Sequence, residues 1–232
     1  MSELPTSWVW APLSAITLDA EKKAPAADEQ FSYIDIGSIS RVTKRITTPQ
    51  IMLGRNAPSR ARKLIKAGDT LVSMTRPNLN AVALVPEDLD GQIASTGFDV
   101  LRPIGVDPRW LYYLVRTQGF VGSMSELVQG ALYPAIRSHD VRSFVVPVAP
   151  LAEQTRIADK LDSAMARVAA CRDRLTCVPD ILIQLRQAVL DAATSGELTE
   201  DWRSDLVIAC QILLFATSWC HWLARANGAS DY

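Results

Sequence analysis

Nine basic residues, Arg41, Lys44, Arg45, Arg55, Arg60, Arg62, Lys63, Lys66 and Arg76, lie between positions 41 and 80 against one acid, Asp69. That is a local charge of +8 in a chain whose net charge is −1. Cations held close together neutralise phosphates, and the counterions they displace make such binding steeply salt-dependent. Immediately after the basic run, "MTRPNLNAVAL" sets Arg76, Asn78 and Asn80 on a turn between two strand-like runs. Arginine pairs with guanine edges and asparagine with adenine edges through two hydrogen bonds each, although Pro-Asn is also an ordinary turn signal. A second polar loop, "QGALYPAIRSHDVRS", carries Tyr133, Arg137, Ser138, His139 and Arg142. A solvated basic face would account for any one of these features. Together they point to DNA, with Lys44, Arg45, Arg60, Arg62, Lys63, Arg76, Asn78, Asn80, Tyr133, Arg137 and Ser138 as the candidate contacts.

Other chemistries lack their residues. There is no GxGxxG or GxxxxGK after a strand, no GxSxG and no HExxH, so neither a nucleotide cradle, a serine nucleophile nor a catalytic zinc has a signature. Glu87 and Asp88 sit beside Pro86 and Gly91, where a solvated turn explains them better than acid–base work. His139 shares no domain with a cysteine and reads as a hydrogen-bonded loop residue. Cys171, Cys177, Cys210 and Cys220 form no CxxC pair and only His139 and His221 accompany them, which argues against structural zinc and for reduced thiols in the cytoplasm. "MSELPTSWVWAPL" has no basic stretch followed by an apolar core, so no secretory signal is expected.

The elements that must position these residues fall into two kinds. Through residue 150, Gly and Pro punctuate short runs such as "FSYIDIG", "TLVSM", "AVALVP" and "FDVLRP", which read as strands. "RWLYYLVRTQGFVGSMSELV" reads as one or two helices packed on the sheet. The fold class expected is α+β, a mixed, mostly β domain over 1–150 followed by coiled-coil-type helices over 151–203.

In the second part Ile157, Leu161, Ala164, Val168, Cys171, Leu175, Val178, Leu182, Leu185, Val189 and Ala192 recur at alternating steps of four and three, the seam of a coiled coil. A helix from Leu151 to Cys177 is expected, then a break, then a second helix opened by Pro179 and stopped by Gly196. Together the helices would span about 60 Å. Each aliphatic residue buried on such a seam contributes roughly 1.5–3 kcal/mol, so the seam calls for a partner helix. Folding back onto the chain's own head is the alternative, against which the seam is narrower than a globular helix's stripe. Residues 204–232 form an apolar tail read as a helix buried against the rod or a dimer mate, or as an accidental sticky segment, and not as a membrane span.

Several stretches resemble the specificity subunits of type I restriction–modification systems. "LPTSWVWAPL" is similar to that family's opening of a target-recognition domain. "YIDIGSIS", "APSRARKLIKAGDTLVSMTRPNLNAVALVPEDLDGQIASTGFDVLRP" and "LVQGALYPAIRSHDVRSFVVPVAPLAEQTRIADKLD" resemble its body and exit, and "RLTCVPDILIQLRQAVLDAATSGELTEDWR" its spacer helices. The resemblance spans residues 4–203 and implies a non-catalytic subunit whose recognition domain reads half of a split DNA target. It also implies helices that dock methyltransferase subunits, which hold S-adenosylmethionine, and through them restriction subunits. The chain has one recognition domain and one spacer where family members carry two of each. A half-length subunit and a shortened product both fit that difference. Pairing with a second copy or another specificity subunit would restore two readers. A scaffold that binds partners without reading DNA is the alternative function.

Overall fold

The computed structural model describes residues 4–128 and 134–206. It divides into two compact units, one ending at Ala169 and one beginning at Ala170. The head therefore reaches past residue 150, where the character of the sequence changes, and takes in the first turns of the rod.

In chain order the first unit runs through β1 (Val9–Pro12), α1 (Leu13–Ile16), β2 (Thr17–Asp19), β3 (Gln30–Ile34), β4 (Gln50–Leu53), β5 (Ala61–Leu64) and β6 (Thr70–Ser73). It continues with β7 (Val82–Leu84), β8 (Ile93–Ser95), β9 (Phe98–Pro103), α2 (Pro108–Leu114), α3 (Gln118–Glu126), α4 (Ser138–Arg142) and β10 (Val145–Val148). The long helix α5 (Leu151–Thr176) follows.

Two four-stranded sheets, ordered β2-β9-β6-β7 and β4-β3-β8-β5, form the head, with β1 and β10 paired as a separate antiparallel ribbon. All pairs are antiparallel except β3 with β8. The first sheet is buried on both faces, and side-chain alternation along its strands shows how. Val72, Val82 and Leu101 face one core with Trp110, Leu111 and Val115 of the α2 region and Phe120 of α3. Their neighbours Leu71, Ala83 and Val100 face a second core with Ile34, Ile65 and Ala94. A strand covered on both sides needs apolar residues at successive positions, which is why "TLVS" and "AVALV" are nearly continuous runs.

The helical stretch expected after residue 108 is two helices. Asp107 caps the first by accepting from Arg109 N at 2.8 Å and Trp110 N at 3.4 Å, with Pro108 at the first helical position. Thr117 caps the second, accepting from Phe120 N at 3.4 Å. These side chains satisfy amides that a helix start leaves open.

The base of α5 is part of the head's core. Ala158 is fully buried and Gln154 is 1% exposed. The Gln154 amide accepts from Asp107 N at 2.8 Å and donates to Ala149 O at 2.7 Å. Arg109 donates to Asp159 at 2.7 Å and to Asp162 at 2.8 Å, and the Tyr113 hydroxyl donates to Asp162 at 2.5 Å. Ile157, the first residue of the expected partner seam, packs against the chain's own core, and Leu161 is half-buried. At the height of Ile157 the nearest apolar surface is the head itself, and the residue is half-buried there.

The second unit carries the end of α5 and a following helix, α6 (Val178–Ser195). Cys177 alone separates them and keeps right-handed helical angles (φ −82°, ψ −16°), so the expected break is a one-residue interruption. Pro179 lies in the first turn of α6, where its missing amide costs nothing. Gly196, with φ 81°, ends the helix in the left-handed region. Val168, in the head unit, is exposed, as are Leu175, Val178, Leu182, Leu185 and Val189. Ile181, Ile183 and Leu190 are exposed too, so α6 presents more apolar surface than the 3–4 seam alone. Among the described residues no helix is long and apolar enough to cross a membrane. Most of the 204–232 tail lies outside the described residues.

Candidate nucleic-acid interface

The turn between β6 and β7 is a short 3-10 helix, Pro77–Leu79, flanked by Arg76 (φ 51°) and Asn80 (φ 47°). Both flanks are left-handed, and Lys44 (φ 57°) is the third non-glycine with positive φ among the described residues. Each such residue costs about 1–3 kcal/mol and persists only where its surroundings hold it.

Contacts hold each of the three. The Lys44 ammonium donates to the Asn80 carbonyl. The Tyr112 hydroxyl donates to Lys44 O at 3.0 Å, and Lys44 N donates to Ser40 O at 2.8 Å. Arg76 N donates to Pro134 O at 2.8 Å, tying the turn to the segment that enters α4.

Arg116, just beyond α2, completes the cluster. Its guanidinium lies 4.6 Å from the Tyr112 ring centre and 5.4 Å from that of Tyr113, a cation–π arrangement. Its carbonyl accepts from Asn80 Nδ2 at 3.5 Å. Burial, and then the neighbouring Arg116 charge, push the Lys44 ammonium below its usual pKa. Burial raises the Tyr112 phenol, against the opposing pull of Arg116 and Arg45.

The expected contact residues divide by where their polar atoms point. Arg45, Arg60, Arg76, Asn78 and Arg137 are exposed. Arg62 is half-buried, its guanidinium folded onto Ala61 O at 2.9 Å. Lys63, Ser138 and Asn80 turn inward. Lys63 Nζ donates to Phe98 O at 2.7 Å and lies 3.7 Å from Asp99, and burial lowers its pKa against the opposing pull of Asp99. Ser138 donates to the same carboxylate at 2.7 Å, and Arg142 does so through Nε at 3.2 Å. Asp99 is 1% exposed, so Lys63, Ser138 and Arg142 compensate a buried charge and pin α4 to β5 and β9. The Asn80 Oδ1 is buried without a hydrogen-bond partner, while its Nδ2 donates to Arg116 O. Tyr133 lies outside the described residues.

Asp69, the one acid of the basic run, is also removed from the surface. It accepts from Arg102 Nε at 3.0 Å and Nη2 at 2.9 Å and from Lys66 N at 2.8 Å. Its carboxylate is spent on Arg102, a residue outside the run. Among the described residues no group of three or more His, Cys, Asp or Glu is placed to hold a metal ion. The surface is suited to binding an extended anion.

Comparison with known proteins gives this surface its context. The profile of the type I restriction modification DNA specificity domain matches residues 20–173. The chain belongs to that family. The specificity subunit of the type I restriction enzyme EcoKI from Escherichia coli K12 is 28% identical over 212 residues, covering 87% of this chain and 46% of that protein. That of EcoDI, also from Escherichia coli, is 41% identical over 105 residues, covering 45% and 23%. A crystal structure of the HsdS subunit from Thermoanaerobacter tengcongensis superposes with a TM-score of 0.69 at 39% identity, over 74% of this chain and 45% of that one. A structure concerned with complex assembly and conformational transition of the type I system gives a TM-score of 0.70 at 39% identity, with the same coverage. This specificity-domain chain thus spans about half the length of the solved subunits and at most about half of the two curated relatives.

Proposed function

We propose that this specificity-domain chain is the DNA-recognition component of a type I restriction–modification assembly. Its head reads one part of a bipartite double-stranded target. Its rod pairs with a second specificity chain, either another copy or a different one, and docks methyltransferase subunits and, through them, restriction subunits. The chain itself is non-catalytic and cytoplasmic, and S-adenosylmethionine belongs to the methyltransferase.

The observation that carries this reading is a coincidence of place. The family match covers residues 20–173, most of the head, and the head holds Lys44 and Asn80 beside Arg116, with Lys44, Asn80 and Arg76 being the non-glycines with positive φ among the described residues. The exposed seam on α5 and α6 supports the pairing, because unpartnered aliphatic residues at 3–4 spacing gain most from a facing helix. Two copies about a twofold axis would present identical readers, so the target would be palindromic with a fixed gap.

Electrophoretic mobility of duplex DNA with the chain and its methyltransferase tests the recognition. Sequence-selective retardation that weakens steeply with salt is expected, and salt-insensitive or absent binding would overturn the reading. Light scattering tests the pairing: a dimer or higher assembly is expected, whereas a strict monomer, free and with methyltransferase, would contradict it.

A further inference from the structure

Resting on that DNA-binding reading, we propose that Lys44, Arg45 and Arg116 form the seat of one backbone phosphate, which fixes where the Arg76–Asn80 turn meets the base edges. Lys44 and Arg116 are drawn together through Asn80 and Tyr112, and Arg45 follows Lys44 in the chain. Tyr112 holds Lys44 through its carbonyl at 3.0 Å and supports Arg116 on its ring face at 4.6 Å. Arg45 is exposed and acts electrostatically on the same phenol. Asp162, the acid that bears on these tyrosines, is already bound by Arg109 at 2.8 Å and Tyr113 at 2.5 Å. Among the described residues no ion pair neutralises Lys44, Arg45 or Arg116.

Like charges held side by side disfavour one another, and Lys44 also sits where burial weakens hydration. An anion arriving from outside relieves both effects. Because the Lys44 ammonium already bonds the Asn80 carbonyl, a phosphate placed on Lys44 is fixed relative to the turn that exposes Arg76 and Asn78. Phosphate contacts set register while base contacts read sequence, and here one hydrogen bond joins the two. Arg116 is a contact that the basic run at 41–80 does not contain.

The test is a salt titration of a short mixed-sequence duplex against the full chain, with Arg116→Gln, Arg45→Gln and Arg116→Lys alongside. Each Gln variant should lower the slope of log affinity against log salt by about one. Arg116→Lys, which keeps the charge, should retain the slope. Arg45 is exposed, so its variant remains informative should the Arg116 change disturb folding. If the unaltered chain binds the duplex while both Gln variants keep its slope, this inference fails and the DNA-binding reading stands. If they keep the slope but lose methyltransferase binding, the seat serves an acidic protein surface and the inference fails likewise. An unaltered chain that does not bind the duplex, with its methyltransferase as well as without, overturns both.

Discussion

The side chain of Gln154 accepts a hydrogen bond from the backbone of Asp107 at 2.8 Å while donating to Ala149 O at 2.7 Å. One buried amide thus joins the cap of α2, the exit from the last strand and the first turns of α5. Gln154→Ala leaves a buried N–H and a buried C=O unpaired together with a cavity, and should cost about 2–4 kcal/mol. Urea unfolding of the full chain measures it, and a change within a few tenths of a kcal/mol would mean the joint is not built this way.

Acid should loosen the same joint. Burial pushes the Asp107 carboxyl up, but its side-chain and backbone bonds from Arg109 and the bond from Thr155 outweigh this and leave it below the usual aspartate range. A carboxylate whose pKa is lower folded than unfolded contributes stability above its unfolded pKa, and that stability is lost as pH falls through the folded value. Thermal melts should therefore show a loss on the acid side of the ordinary aspartate range. Asp107→Asn, which keeps a capping oxygen, should flatten that part of the profile.

The inward-facing cations call for a different outcome from the exposed ones. Lys63→Met should cost about 1–2 kcal/mol through the lost bond to Phe98 O and leave the salt dependence of DNA binding unchanged. Asp99→Ala should cost about 1–3 kcal/mol, because it removes the buried acceptor shared by Lys63, Ser138 and Arg142, leaving Arg142 its pair with Asp19. A Lys63 variant of full stability but weakened DNA affinity would return that residue to the interface.

Gly54 is fixed by a close backbone approach. A Cβ there would sit 1.8 Å from Ala26 O, a main-chain atom that cannot swing aside. Gly54→Ala should destabilise the head by at least the 1–3 kcal/mol typical of overpacking, readable as a lowered melting temperature.

Along the rod, one substitution at two heights should act in opposite ways. Leu182→Asp, on exposed α6 surface, should abolish pairing in light scattering while the head keeps its melting temperature. Ile157→Asp, which packs into the head, should lower that melting temperature instead.

These contrasts mark where the sequence was legible. The four runs read as strands are β3, β6, β7 and β9, because strands buried in the sheets carry dense apolar and β-branched residues. The β1–β10 ribbon escapes that reading: Pro12 ends one strand and Pro147 interrupts the other, and the two are far apart in the chain. The basic run is visible as charge, but charge does not say which cations face outward. Lys63 and Ser138 look like surface residues until Asp99, 36 and 39 positions away, draws them inward. Arg116 is hidden inside an apolar helical stretch, and only the stacked Tyr112 and Tyr113 beside it offered a local signal. The heptad pattern shows a seam without showing how much of its lower end the head occupies, since Ile157 and Val168 are equally apolar.

The central claim, that this chain directs modification to a DNA sequence, is tested most directly by mapping methylated bases in cells with and without it beside its methyltransferase. One bipartite motif should be modified only when the chain is present. An identical set of modified motifs in both cells would contradict it.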